Sequence, residues 1–180
     1  EGVSVSHPAR FLLVGTMNPE EGDLRPQLLD RFALSVDIHG LKDARDRVAI
    51  MERNLAFEGD AESFRQKWLN KEQELSQEIE QARELVDRVT YSSRDLNAIA
   101  GLTSALQVDG HRADLVILKA ARAQAAFAGR TAINDRDIAI AAELTLPHRV
   151  KRGPFQQAQI NLYDLEERLE QINSEWSGGE

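Results

Sequence analysis

Beyond residue 43 the apolar residues of this 180-residue chain recur every three or four positions, and only short stretches before that point read as strands. This imbalance bounds the fold. It predicts a mostly α protein with a small α/β remnant. Val3 to Ser6 alternates with period two. Residues 10 to 17, RFLLVGTM, form a near-continuous apolar run of the kind buried on both faces of a parallel sheet. Residues 33 to 38, ALSVDI, read as another strand, and PQLLDRF between the two as a short helix opened by Pro26. So few strands do not make a free-standing sheet. The rest of that sheet is expected upstream, and the start at Glu1 without an initiator Met agrees with a chain cut from something longer.

The helical part carries its own punctuation. Asp43 is placed to cap a helix over about 44 to 56, with Val48, Met51 and Leu55 on one side, and Gly59-Asp60 breaks it. Phe64, Trp68, Leu75, Ile79, Ala82 and Val86 then fall at helical spacing, as one helix or as two broken at Asn70. Ser92 with Asp95, and Asn134 with Asp137, have the spacing of helix-opening capping boxes. The alanine-rich run from His111 to Ala128 ends at Gly129, which can take a left-handed cap, and Pro147 closes the next helix. Residues 153 to 160 read as a turn before a last helix carrying Leu162, Leu165, Leu169, Ile172 and Trp176, and Ser177 to Glu180 as a disordered tail.

Several classes of chemistry fall away. There are no cysteines, so disulfides and thiol catalysis are excluded. His7, His39, His111 and His148 are scattered without metal-ligand spacing, so no metal-ligating residue is assigned. The formal charge of −8 makes nucleic acid a poor default partner. No apolar run approaches the roughly 18 residues of a membrane span. No Gly-x-x-x-x-Gly-Lys-Ser/Thr phosphate loop and no apolar strand ending in paired carboxylates appears, so the 180 residues have no evident cradle for a triphosphate.

Three residues remain as candidates. Asn18 stands at the end of a strand-like run, where open α/β sheets bind ligands and an amide can orient water or touch a γ-phosphate. Asn-Pro also starts ordinary turns, and spacing does not choose. Arg31 follows a short helix. It can pair with Asp30, or project outward and complete a neighbour's phosphate site with its planar donors. Arg25 is a second such arginine, better read as a loop charge. Arg112 opens the alanine-rich helix, where a cation opposes the helix dipole. That local misfit hints at function, though surface tolerance explains it as well.

The stretch VSVSHPARFLLVGTMNPEEGDLRPQLLDRF resembles the sensor-1 and arginine-finger region of the ATPase subunit of magnesium chelatase, an AAA+ protein that helps insert Mg2+ into protoporphyrin IX. The resemblance continues through DGHRADLVILKAARAQAAFAGR and LPHRVKR, covering most of residues 1 to 152. It implies that Asn18 is the sensor-1 residue and Arg31 the arginine finger, both catalytic. Arg112 is implied as a nucleotide-binding sensor-2 arginine. Residues 1 to 40 would end the nucleotide-binding domain, 41 to 90 form connecting helices, 91 to 152 a helical lid, and 153 to 180 a C-terminal helix and tail. Implied with these are ATP and Mg2+ as cofactors, and as partners a homo-oligomeric ring, expected to be a hexamer, and the other chelatase subunits. The setting would be a bacterial cytoplasm or a plastid stroma. The sequence departs from the family in lacking its phosphate loop and acidic magnesium motif, and in Ala33, where glycine is expected. Residues 1 to 180 alone are therefore expected to be inactive. A MoxR-type chaperone ATPase acting on protein partners, or a helical interaction piece without activity, are the competing readings.

Overall fold

The computed structural model describes residues 8–9, 11–18, 22, 24–150 and 161–177. The expected strand at Val3 to Ser6, the turn at 153 to 160 and the tail at 178 to 180 lie outside these. Seven α-helices follow in order: α1 Pro26–Leu29, α2 Ala44–Gly59, α3 Ala61–Leu85, α4 Ser93–Ala105, α5 Arg112–Phe127, α6 Asp135–Thr145 and α7 Leu162–Ser177. A 3-10 turn, Val86–Arg88, follows α3.

The capping signals act where the sequence placed them. Ser92 accepts from the amide of Asp95 while the Asp95 carboxylate accepts from the amide of Ser92 at 2.7 Å. Asn134 and Asp137 do the same for α6. Each box satisfies amides that a helix start leaves without intrahelical partners. At the end of α5, Gly129 takes φ +71°, Arg130 N–H donates to the Ala125 carbonyl and Gly129 N–H to Ala126, the double closure of a Schellman motif. The end of α4 has the same two bonds, with Gln107 in the left-handed position at φ 52°.

The core lies in α4 to α7 and the residues that join α3 to α4. Leu102, Ile117, Ile138, Leu146, Leu165 and Leu169 are fully buried, and the alanines Ala98, Ala121, Ala125 and Ala142 bring the helices close. The alanine-rich stripe of α5 is thus a packing surface. The last turn of α3 reaches the core through Ala82 and Leu85, and the 3-10 turn after it through Val86. Arg122 of α5 fastens it there, donating to the Val86, Asp87 and Val89 carbonyls. Thr90 pairs with Ala132 in an isolated parallel bridge that stitches the entries of α4 and α6. Gly101 allows α4 and α7 to approach: a Cβ there would lie 2.9 Å from Ile172 Cγ2.

Residues 11 to 42 differ from the expectation. The runs at 10–17 and 33–38 form no strand among the described residues, and Leu12 and Ile38 are 90% and 87% exposed. Both are apolar enough for a buried strand, but a strand needs neighbours for its amides and both faces, and none are described. The helix boundaries also shift slightly. Helix α2 runs to Gly59 with Val48, Met51 and Leu55 largely exposed, and α3 continues unbroken through Asn70. Phe57 meets Phe64 edge-on at 5.7 Å and Phe64 leans on Trp68, so the α2–α3 hairpin is held by its own aromatics.

Candidate functional site

The candidate site grows from the one-turn helix α1. Leu28 and Leu29 amides bond back to the Arg25 carbonyl, and Arg31 and Phe32 amides bond to Leu28 and Leu29. The helix ends at Leu29, and Asp30 and Arg31 follow it as an exposed turn. Arg31 is exposed, and its guanidinium has no hydrogen bond or ion pair among the described residues. Phe32 turns inward, and its ring lies against Gly15, where an added Cβ would sit 3.5 Å away. That contact ties the run ending at Asn18 to the turn carrying Arg31. Asn18 is itself exposed.

The lid helices meet this turn from the other side. Arg112, at the start of α5, donates to the Asp30 carboxylate at 2.6 Å and to the Asp30 carbonyl at 3.1 Å. This resolves the dipole misfit seen in the sequence: the cation at the helix start is held by a carboxylate 82 positions away. Both groups are about half exposed, so the pair orients Arg112 more than it stabilises the fold.

Two further residues belong to the site and were visible in the sequence only within the stretch LPHRVKR. Pro147 stops α6, and Arg149 and Val150 amides fold back onto the Leu146 carbonyl, which returns His148 and Arg149 over the helix end. The Arg149 side chain is 4% exposed. It donates to the carbonyls of Phe32 at 2.7 Å, Ala33 at 2.9 Å and Thr145 at 2.6 Å. Its Nε lies 3.9 Å from Asp30 Oδ1, close enough for charge attraction and too far for a hydrogen bond. Burial pushes the Arg149 guanidinium below its ordinary value, Asp30 opposes that, and Arg112 adds to it. It remains a cation at neutral pH, as arginine does in proteins. His148 Nε2 lies 3.0 Å from the Phe32 carbonyl. Burial, with Arg149 beside it, lowers the His148 pKa below 6.5, against the weaker pull of the Phe32 carbonyl and Asp30. A neutral ring carrying its proton on Nε2 donates to Phe32, so that carbonyl accepts from both His148 and Arg149.

The result is a cationic corner. Arg112 and Arg149 face one carboxylate, Asp30, and exposed Arg31 is the next residue in the chain. Exposed Arg31 and half-exposed Arg112 can offer planar donors to phosphate oxygens. Among the described residues no group of three or more His, Asp or Glu is arranged to hold a metal ion, and no helix is long and apolar enough to cross a membrane.

Residues 96–172 match the AAA lid domain family. The chain is 47% identical over 169 residues to an uncharacterized protein of Mycobacterium tuberculosis, covering 94% of this chain and 27% of that protein. It is 44% identical over 176 residues to a magnesium-chelatase subunit ChlI homolog of Methanocaldococcus jannaschii, covering 98% of this chain and 47% of the relative. It is 39% identical over 170 residues to a chloroplastic magnesium-chelatase subunit ChlI of Oryza sativa subsp. indica, covering 94% of this chain and 41% of the relative. The chain thus spans less than half the length of each of these relatives.

Proposed function

We propose, for a chain that belongs to the ChlI-type AAA+ sequences of magnesium chelatase, that it supplies the lid and the inter-subunit arginines of an ATP-driven ring. The ring would drive Mg2+ insertion into protoporphyrin IX, in chlorophyll or bacteriochlorophyll synthesis, together with the other chelatase subunits. The observation that carries the arginine roles is the Arg112–Asp30 bond, which ties a lid arginine to the residue next to exposed Arg31. The relatives' names favour the chelatase reading over a MoxR-type chaperone. The compartment proposed is a bacterial cytoplasm or a plastid stroma. The proposed division keeps residues 1–40 with the nucleotide-binding domain, 41–90 as connecting helices, 91–152 as the lid and 153–180 as the closing helix and tail.

The mechanism follows from charge and position. A nucleoside triphosphate with its Mg2+ supplies a phosphoryl group whose transfer spreads negative charge over three oxygens. Its cradle would come from residues other than these 180. Arg31, projecting from α1, would stabilise that charge from the neighbouring protomer. Arg112 would join it by turning from Asp30 to a phosphate oxygen. The Asp30 carboxylate is not stranded by that move, because Arg149 is already 3.9 Å away. Asn18, on the run tied to the same turn, would orient water within its own subunit. Homo-oligomerisation, expected as a hexamer, follows from a finger that acts on a neighbour.

In the full-length ring, Arg31→Ala is expected to lower turnover on the order of 10^3 to 10^5-fold while nucleotide binding persists. Steady-state ATPase and nucleotide-binding assays check this. Unchanged turnover removes Arg31 from the mechanism. Mg2+ insertion measured with the partner subunits and porphyrin separates the chelatase reading from a chaperone.

A further inference from the structure

Among the described residues, the hydrogen bonds that hold the turn carrying Arg31 come from the lid, while within residues 1–40 the Phe32 ring lies against Gly15. Beyond α1 these bonds run to Arg112 at the start of α5 and to the end of α6. The last carbonyls of a helix lack intrahelical partners and carry the negative end of its dipole. At α6 that of Leu144 accepts from the distant Ser35 N–H at 2.8 Å, and that of Thr145 from the Arg149 side chain four residues on. The same Arg149 guanidinium spans the Phe32 and Ala33 carbonyls, and His148 adds a second donor to Phe32. One buried side chain therefore bonds at once to the lid helix and to the two peptides following Arg31.

We infer that Arg149 is a positioning residue that locks the arginine-finger turn to the lid, so that Arg31 and the lid move as one body. The inference rests on the reading of Arg31 as the group that reaches a neighbour's nucleotide. Arg149 itself, 4% exposed and engaged with four backbone carbonyls, counting a long 3.4 Å bond to Asp30, is not placed to touch phosphate. Lid rotation would then carry Arg31 toward or away from the adjacent protomer. Arginine suits this task because its rigid fork reaches several carbonyls together, which the single ammonium of lysine does not.

The test is a double-mutant cycle in the full-length ring. Arg149→Met keeps the apolar stem and removes the donors. Misplacing a reacting group by about 1 Å costs up to 10^2-fold, so kcat is expected to fall on the order of 10 to 10^2-fold with nucleotide affinity unchanged. In an Arg31→Lys background the same change is expected to cost less than about twofold, since residues acting as one unit are not additive. Arg149→Lys serves as the milder variant and is expected to lie between, with ring assembly checked by sedimentation. Full multiplicative loss in the Arg31→Lys background overturns the proposal, as does a loss of affinity with kcat unchanged. Failure of both Arg149 variants to assemble also overturns it, by making Arg149 a folding residue. If Arg31→Ala leaves turnover unchanged, the finger reading fails and this inference with it. If Arg31→Ala abolishes turnover and Arg149→Met does not lower it, the inference alone fails.

Discussion

Residues 11–60 and residues 89–169 contain apolar side chains of similar kind and treat them oppositely. The second region holds all of the fully buried core, including Leu102, Ile117 and Leu169 at 0% exposure. The first holds FLLV at 64 to 90% exposure and a helix, α2, with no buried residue. Local hydrophobicity therefore does not create a core. In the helical region each amphipathic stripe finds a complementary stripe within the same 90 residues or so, at helix-packing distance. In the first region the runs have strand character, and their complement is a sheet with neighbours on both sides. Arg31, the proposed finger, sits on the weakly packed side, and the groups that hold its turn, Arg112, His148 and Arg149, come from the well-packed side. The buried core and the exposed proposed finger thus lie in different regions, joined at Asp30 to Ser35.

The contrast can be broken or sharpened by substitution, beginning with the largest effect. Ile117→Ala, at the centre of the bundle, is expected to destabilise the chain by about 2–5 kcal/mol, measured by denaturant unfolding. A cost below 1 kcal/mol would mean that the bundle is not the cooperative unit. Gly101→Ala is expected to cost about 1–3 kcal/mol less the gain in helix propensity, because the added methyl meets the branched carbon of Ile172 at 2.9 Å. A higher melting temperature for this variant would show that α7 is not seated on α4.

The joint between the regions has a pH signature. His148 holds its proton less tightly in the folded state than in the unfolded one, where its pKa is the ordinary 6.5. Below that value the unfolded chain takes up a proton that the folded chain resists, so stability is full above about pH 6.5 and declines as the pH falls through it. The slope from one such group is at most about 1.4 kcal/mol per pH unit. His148→Gln is expected to remove this component between pH 7.5 and 5.5, read as a smaller change in melting temperature; an identical pH dependence would place His148 in solvent. The smallest effect belongs to Leu12→Ala. In the 180-residue chain it is expected to change stability by no more than about 0.5 kcal/mol, as exposed positions do. A loss near that of Ile117→Ala would mean that the N-terminal run is packed after all.

Much of the helical region could be read directly. Capping boxes act between residues three apart, so Ser92 with Asp95 and Asn134 with Asp137 carry their whole mechanism in the sequence. Gly129 announced the end of α5 because glycine enters the left-handed region without strain. Gln107 gave no such warning at the end of α4: glutamine takes φ 52° only because the surrounding bonds hold it there. The misfit of Arg112 at a helix start was legible, and its partner was not, since Asp30 lies 82 positions away with no periodic relation to it. Arg149 looked like one more basic residue after a helix. Its burial and its grip on Phe32 and Ala33 arise only when the turn and the helix end meet.

The sequence by itself determined where the capped helices begin and which of their faces are apolar, because each depends on groups within a few residues of one another. The tertiary structure decided which apolar runs are buried, which arginine is held and which is left exposed. Those outcomes depend on partners tens of residues distant, whose approach is set by packing of whole helices and not by any local preference of the chain.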